Sequence, residues 1–385
     1  MAYYPASFCL IDVMPNERTS KWLNAQVIAT VLISKFLILV FASQAYQIIS
    51  EKPFGGGESF LGIWDRWDAA HFLKIAQNGY TAVGDDRFLI VFFPLYPILV
   101  AMGKALTGDY LVSAFFVSAM ASIAAGLLLR RLTLLDHGEK TAQLAVVFLF
   151  IFPTSYFLHI PYTESLFLAL VIGAFLASRQ RAWVVAGLLG GLACLTRVNG
   201  LILLPAVAFE VWEQYKADKK FDPRWTFLLL IPLGFTIYLG LNYYVAGDPL
   251  MFMTYQRDHW YRYLRWPWEG IWEAVKRIDN PKAADAQMIG VQEVLFVAIG
   301  AFATIAGWRN LRNSYRVWMV VNWLLFVSTS FVLSVPRYTL SLFPIFILMS
   351  LTARHYRIAG FAIAFWSVLY LGLFSTQFVR GMWAF

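Results

Sequence analysis

The sequence predicts an all-α integral membrane protein, organised as one multi-pass transmembrane domain (residues 1–385) of about 11 helices. Three observations carry that prediction. The 385 residues are 59% hydrophobic and only 14% charged, against about 25% charged in a soluble domain, and mean hydropathy is +0.61. Apolar segments of bilayer-crossing length, about 20 residues, recur along the chain. The basic residues gather in alternate short loops, as membrane topology requires.

The first apolar segment, 24–49, follows residues 1–23, which hold Asp12, Glu17, Arg18 and Lys21 and lack a basic start, an apolar run and a small-residue cleavage site. It is expected to serve as an uncleaved signal anchor. Lys35 lies too deep in it to snorkel and should face the bundle interior with a partner. Residues 50–109 then form a first long extracytoplasmic loop. Its stretch 88–106 is apolar, but Pro94 and Pro97 interrupt it, and counting it as a span would invert every later loop. It is expected to lie in the interface. Further spans follow near 110–129, 141–159, 162–178, 182–197, 199–214 and 225–245. A second long extracytoplasmic loop, 246–289, is dense in Trp, Tyr and Arg over 255–275. Such residues settle at headgroup depth, and they also stack on sugars; both readings stand. Spans near 290–307, 317–334, 337–352 and 358–376 complete the bundle. No internal repeat is evident.

With the N-terminus in the cytoplasm, Arg18, Lys21, Arg130, Arg131, Lys140, Arg179, Arg181, Lys216, Lys219, Lys220, Arg224, Arg309, Arg312, Arg316, Arg354 and Arg357 all fall inside. That side then carries a net charge equal to the whole chain's +8. The positive-inside rule therefore accounts for the basic pI, and nucleic acid is not needed to explain it. Cys9 and Cys194 sit in unlike settings and imply no disulfide framework.

Residues 64–72 concentrate Asp65, Asp68 and His71 just beyond the first span. On a helix, their spacing of three puts them along one ridge. Neighbouring carboxylates resist simultaneous ionisation, which suits a general base, yet a solvated interfacial helix explains the same pattern. Arg197 and Arg337 stand at the outer ends of predicted spans. Snorkelling to headgroups explains them, and so does clamping a lipid-borne phosphate, which matches the planar guanidinium fork. Glu164, beside Tyr162, falls where a helix begins and should interact favourably with its dipole.

These residues also carry a family resemblance that covers most of the chain. Trp67-Asp68-Ala69-Ala70-His71-Phe72-Leu73-Lys74-Ile75-Ala76-Gln77-Asn78-Gly79-Tyr80, followed by Phe92-Phe93-Pro94-Leu95-Tyr96-Pro97, resembles the PIG-V family, the GPI mannosyltransferases II and their prokaryotic relatives. Further matches are Pro153-Thr154-Ser155, Tyr162-Thr163-Glu164-Ser165-Leu166-Phe167, Thr196-Arg197-Val198-Asn199-Gly200, and the stretch from Gly247-Asp248-Pro249 to Trp266-Pro267-Trp268.

The resemblance implies a GT-C glycosyltransferase bundle with its acidic catalytic residue in the first extracytoplasmic loop. It implies a polyprenyl- or dolichyl-phosphate mannose donor and a lipid-linked or glycan acceptor among membrane lipids. The family's Trp-Asp pair falls on Trp67 and Asp68, its following His on His71, and its Arg and Asn on Arg197 and Asn199. Asp68 is the expected base, with Asp65 or His71 tuning it. Arg197, Arg337, Trp67, Asn199, Glu164 and Tyr162 form the expected donor-phosphate and substrate-binding set. No cofactor is expected to be obligatory, although Asp65, Asp68 and His71 include metal-binding residue types. The chain ends without an ER-retention signal, so a prokaryotic plasma membrane is the expected location, with an ER membrane and luminal site if eukaryotic. A lipid or glycan transporter, with Lys35, Arg197 and Arg337 along its pathway, is the rival class. A GT-C enzyme using another sugar is the second enzymatic alternative.

Overall fold

A computed structural model describes residues 24–51, 53–54 and 59–385. Residues 1–23, with the signal-anchor reading, Cys9, Arg18 and Lys21, lie outside the described residues. The described chain is helical throughout, its one extended pairing being an isolated antiparallel bridge between Leu264 and Thr329.

Helix α1 (Ala25–Ser50) opens with Asn24, whose side-chain oxygen accepts from the Val27 N–H at 3.0 Å, a standard N-cap. It is apolar all round, and Ile33, Phe36, Leu37 and Phe41 stay exposed, a surface made for lipid. Lys35 does find an interior partner: its Nζ donates to the His159 carbonyl at 2.7 Å and lies 5.3 Å from the Phe115 ring centre. After a loop come α2 (Asp68–Asn78), α3 (Leu95–Thr107) and α4 (Tyr110–Leu134), which pack on one another through Phe72, Leu73, Tyr96, Val100 and Ala114.

Helices α5 (Glu139–Ile151), α6 (Glu164–Arg179), α7 (Trp183–Cys194), α8 (Leu203–Asp218) and α9 (Leu230–Ala246) build the middle of the bundle. Helix α6 is its axis: nearly every residue in it is buried, and α4 and α7 pack against it. Helix α7 can lie close to α9 because a Cβ on Gly191 would stand 2.6 Å from the Leu230 carbonyl oxygen. Small residues at such crossings let membrane helices approach through their backbones. Short helices α10 (Met251–Asp258), α11 (Pro267–Lys276) and α12 (Ala283–Asp285) follow, then α13 (Gln292–Ala306), α14 (Asn313–Val327), α15 (Val335–Tyr338), α16 (Pro344–His355) and α17 (Arg357–Val379).

Among the described residues, five helices are long and apolar enough to cross a bilayer: α1, α4, α17, Pro223–Ala246 and Ala283–Ala306. Two bent pairs raise the number to seven, Asp85–Val91 with Leu95–Thr107 at 107° and Val335–Ser341 with Pro344–His355 at 83°. The chain is an integral membrane protein. The expected count of about 11 spans is not confirmed by length and composition, and several predicted segments run across helix breaks. The segment 141–159 covers α5 and a separate turn, Ser155–Leu158, with Pro153 between them. The segment 317–334 covers α14 and unwound chain at 328–334. Irregular backbone at membrane depth is tolerated where it is buried in protein or lines a cavity: the first break is buried, and the second lines the cavity through Thr329, Phe331 and Ser334.

Several arginines assigned to the cytoplasmic loops are ion-paired at one end of the bundle: Arg130 with Glu139 at 2.6 Å, Arg179 with Asp136 at 2.7 Å, and Arg312 with Glu210 at 3.0 Å.

Candidate active site

A cavity of about 960 Å³ opens between α2, the starts of α6 and α15, the turn after α7 and the loop after α10. Eight of the nine candidate residues line it: Trp67, Asp68, His71, Tyr162, Glu164, Arg197, Asn199 and Arg337. Asp65 does not.

The reason is a break in the helix that the spacing predicted. Residues Gly62–Trp64 form a 3-10 turn, anchored by the buried Trp64 ring stacked on Phe378 with centres 6.0 Å apart. Trp67 then takes φ +54°, and α2 begins only at Asp68. A bulky residue at positive φ is strained backbone that surrounding structure must enforce. Here Tyr162 Oη donates to the Arg66 carbonyl at 3.2 Å and the Trp67 ring meets Trp383 edge-on at 5.2 Å. The expected ridge of Asp65, Asp68 and His71 is therefore corrected. Asp68 and His71 share the first turn of α2, while Asp65 lies before the reversal, its Oδ1 buried without a hydrogen-bond partner. Burial pushes the Asp65 carboxyl above its ordinary range. Among the described residues no three His, Cys, Asp or Glu side chains converge as a metal-holding group, so the three do not gather as such a set.

At the centre stands a chain of four charges. Arg197 Nη1 meets Glu164 Oε1 at 2.5 Å. Arg337 Nε approaches the same oxygen at 3.3 Å, and Arg337 Nη1 meets Asp68 Oδ2 at 2.8 Å. The Arg337 Nε contact is an ion pair without hydrogen-bond alignment, since that nitrogen and Glu164 Oε2 are both buried with no hydrogen-bond partner. Glu164 does sit in the first turn of α6, as the dipole argument requires, but its main contacts are the two guanidiniums. Arg337 is buried and lies over the rings of Phe157, Tyr162 and Tyr338, with centres 5.4, 5.4 and 5.2 Å away. This is a paired, buried cation and not one snorkelling to headgroups.

Each member is fixed by local backbone. Arg197 is extended between α7 and the 3-10 turn Val198–Ile202. Gly200 makes that turn possible, because a Cβ there would lie 2.6 Å from the Cys194 nitrogen. Asn199 donates to Asn322 Oδ1 at 2.9 Å, tying the turn to α14. Arg337 rides on α15, which starts from Ser334 at φ +69°. The Ser334 and Val335 N–H groups donate to the two oxygens of Glu293 at 2.6 and 2.8 Å, and Thr154 Oγ1 donates to the Pro336 carbonyl at 2.8 Å. Sequence reasoning missed Glu293, although an acid inside an apolar span is the signal that finds such residues. It also left Thr154 without a role, though its motif was noted.

His71 packs against the Phe92 and Trp260 rings at 5.1 and 5.8 Å. Burial, opposed by Asp68, lowers its pKa below the ordinary value, so the ring is neutral at neutral pH. The aromatic loop divides between its two readings. Trp260 and Tyr263 line the cavity, while Trp266 and Trp268 stack on each other at 5.1 Å and stay exposed.

The family described as Mannosyltransferase (PIG-V) matches residues 57–235. The mouse GPI alpha-1,6-mannosyltransferase 2 is 31% identical over 213 residues, 51% of this chain and 42% of that protein. The GPI mannosyltransferase 2 of Schizosaccharomyces pombe is 24% identical over 274 residues, covering 65% of this chain and 57% of its own length. The chain thus spans about half the length of these relatives. Among solved structures, ArnT from Cupriavidus metallidurans bound to undecaprenyl phosphate is similar with a TM-score of 0.53 at 14% identity, over 92% of this chain and 76% of that one. That likeness is one of fold. The resemblance to the PIG-V family read from the motifs is matched over residues 57–235, and the all-helical membrane fold is similar to that of ArnT.

Proposed function

We propose that the chain is a mannosyltransferase that moves mannose from a polyprenyl- or dolichyl-phosphate donor to a hydroxyl of a lipid-linked or glycan acceptor. The reaction runs on the non-cytoplasmic face with inversion. The observation that carries this reading is the Asp68–Arg337–Glu164–Arg197 chain at the wall of one large cavity. It puts a carboxylate and two forked cations within one substrate's reach. Part of the remaining wall is apolar, through Val91, Phe93, Leu250, Phe252, Leu325 and Phe326 among others, which suits a lipid tail. Relatives named as GPI mannosyltransferases, and a fold neighbour bound to undecaprenyl phosphate, support the sugar and the donor class.

In the resting site Asp68 Oδ2 is held by Arg337, and Oδ1 is the oxygen left to receive the acceptor hydroxyl's proton. The acceptor oxygen attacks the anomeric carbon as its proton passes to Asp68. The bond from that carbon to the phosphate oxygen breaks, and its electron pair leaves with the phosphate. Arg197 and Arg337 stabilise the charge that develops there. A donor phosphate competes with Asp68 for Arg337, so donor binding frees the base it needs. One inverting displacement converts a β-linked lipid-phosphate mannose into an α-mannoside.

The test is turnover by purified protein in nanodiscs with polyprenyl-phosphate mannose and a panel of lipid and glycan acceptors, with and without EDTA. Mannosylated product in both arms is expected. No transfer to any acceptor, with the donor intact or merely moved between leaflets, would refute the reading.

A further inference from the structure

The cavity wall holds four arginines, Arg197, Arg257, Arg262 and Arg337. Three have a carboxylate within ion-pair distance. Arg197 has Glu164 at 2.5 Å, Arg337 has Asp68 at 2.8 Å, and Arg257 has Asp258 at 2.7 Å. Arg262 has none among the described residues within the 4.0 Å that marks the other pairs. Its only side-chain hydrogen bond there is from Nη1 to Tyr338 Oη, at 2.8 Å. A half-buried guanidinium with five donors and no contacting carboxylate, Glu293 acting on it only from beyond ion-pair distance, is left short of partners, and an anion would supply them.

Its position is built by the backbone. Tyr261 takes φ +55°, and the Arg262 N–H donates to the Gln256 carbonyl at 2.8 Å. The next residues are clipped to the unwound chain after α14. The Ser330 N–H donates to the Tyr263 carbonyl at 2.8 Å, Ser330 Oγ donates to the Tyr261 carbonyl at 2.8 Å, and the Arg265 N–H reaches the Ser328 carbonyl at 3.2 Å. This clip aims Arg262 at Tyr338, the residue after Arg337. The guanidinium carbons of Arg197, Arg262 and Arg337 then lie 5.0, 5.3 and 5.2 Å from the same ring centre.

We infer that Arg262, held by Tyr338, is an oxyanion-binding residue that takes a phosphate ester of a lipid substrate, completing a three-arginine cradle around Tyr338. The inference deepens the transferase reading and rests on it for the identity of the substrate. Arg197 and Arg337 enter the reaction already neutralised by Glu164 and Asp68, so they must exchange partners to bind phosphate. Arg262 needs no exchange. It offers the first fixed positive charge to an arriving phosphate, and the other two arginines follow. Charge-assisted bonds of this kind are the strong ones, and a forked, always-charged donor suits a tetrahedral oxyanion.

The test measures binding of undecaprenyl phosphate, phosphatidylglycerol and uncharged undecaprenol to wild type, Arg262→Gln and Arg262→Lys in phosphatidylcholine nanodiscs. Arg262→Gln should weaken undecaprenyl phosphate about 10- to 100-fold and leave undecaprenol unchanged, with Arg262→Lys in between. The same loss for phosphatidylglycerol in place of undecaprenyl phosphate would keep the oxyanion site and assign it to a phosphodiester lipid. Should Arg262→Gln not fold, Arg262→Lys carries the test with a smaller loss. Affinity for both phosphates equal to wild type would overturn the inference. The transferase reading fails separately: Arg262-dependent lipid-phosphate binding by a protein that never transfers mannose would sink that reading and leave this one standing.

Discussion

Glu164 is the single anion between two guanidiniums, and Glu164→Gln tests whether that arrangement is a phosphate site. Its Oε1 lies 2.5 Å from Arg197 and 3.3 Å from Arg337, and the Glu164 and Arg337 side chains are 4% and 9% exposed against 20% for Arg197. Removing one partner of a buried pair typically costs about 3–5 kcal/mol, because a buried charge is left uncompensated. The amide keeps the shape and one acceptor oxygen, and Arg337 keeps Asp68, so the lower end of that range applies. The assay is thermal unfolding of purified protein with and without undecaprenyl phosphate. Glu164→Gln should unfold at lower temperature than wild type, and the lipid phosphate should raise its midpoint by more than it raises wild type's, because the added anion replaces the missing one. An equal lipid-induced shift in the two proteins would refute the reasoning, since the two arginines would then not be exchanging a carboxylate for a phosphate.

Three further outcomes follow from the same geometry. Glu293→Gln leaves the Ser334 and Val335 N–H groups facing one acceptor oxygen and one amide N–H₂, which should loosen α15 and with it Arg337. The lost charge-assisted bond corresponds to about 1.5–3 kcal/mol, read as a 10- to 100-fold weaker affinity for undecaprenyl phosphate; unchanged affinity contradicts it. For Asp65, the folded pKa is raised above the ordinary value of 3.8 by burial. The stability tied to its neutral form is present below that value and is lost as pH rises through the folded pKa. Asp65→Asn should therefore be more stable than wild type at pH 7 and converge with it below about pH 4; a variant less stable at pH 7 would show that the charge is engaged. For topology, on a background without Cys9 and Cys194, Val83→Cys should react with an impermeant maleimide from outside intact cells. Gly138→Cys should react only after permeabilisation, and the reverse order would invert the proposed faces.

The parts of this account legible in the sequence are those that depend on composition or on motif. The lipid-facing helices α1, α4 and α17 are long and apolar and were readable within a few residues. Asp68 and Arg337, 269 positions apart, were each marked, one by its motif and one as an arginine at the end of a predicted span, yet nothing in sequence says that they touch. The break before α2 was illegible because Trp67 occupies a positive-φ position without the glycine that usually announces one; tertiary contacts from Trp383 to the Trp67 ring and from Tyr162 to the Arg66 carbonyl impose it. The span boundaries blurred for a related reason. Hydropathy windows see apolar residues and not helix breaks, so the buried turn after Pro153 and the unwound, cavity-lining chain at 328–334 both look like continuous helix. Arg262 was visible only as one more arginine in an aromatic loop, since its lack of a contacting carboxylate is a property of the folded cavity alone.

The central claim is that Asp68 is the base. The most direct measurement is the single-turnover rate of mannose transfer by Asp68→Asn, in protein shown to be folded and to bind undecaprenyl phosphate. Asparagine keeps the size and an oxygen for Arg337 but cannot accept the acceptor's proton. General base catalysis typically contributes about 10²–10⁴-fold, and the rate should fall by at least that order while Asp65→Asn stays near wild type. An Asp68→Asn enzyme transferring mannose at the wild-type rate, or Asp65→Asn proving the dead variant, would contradict the account.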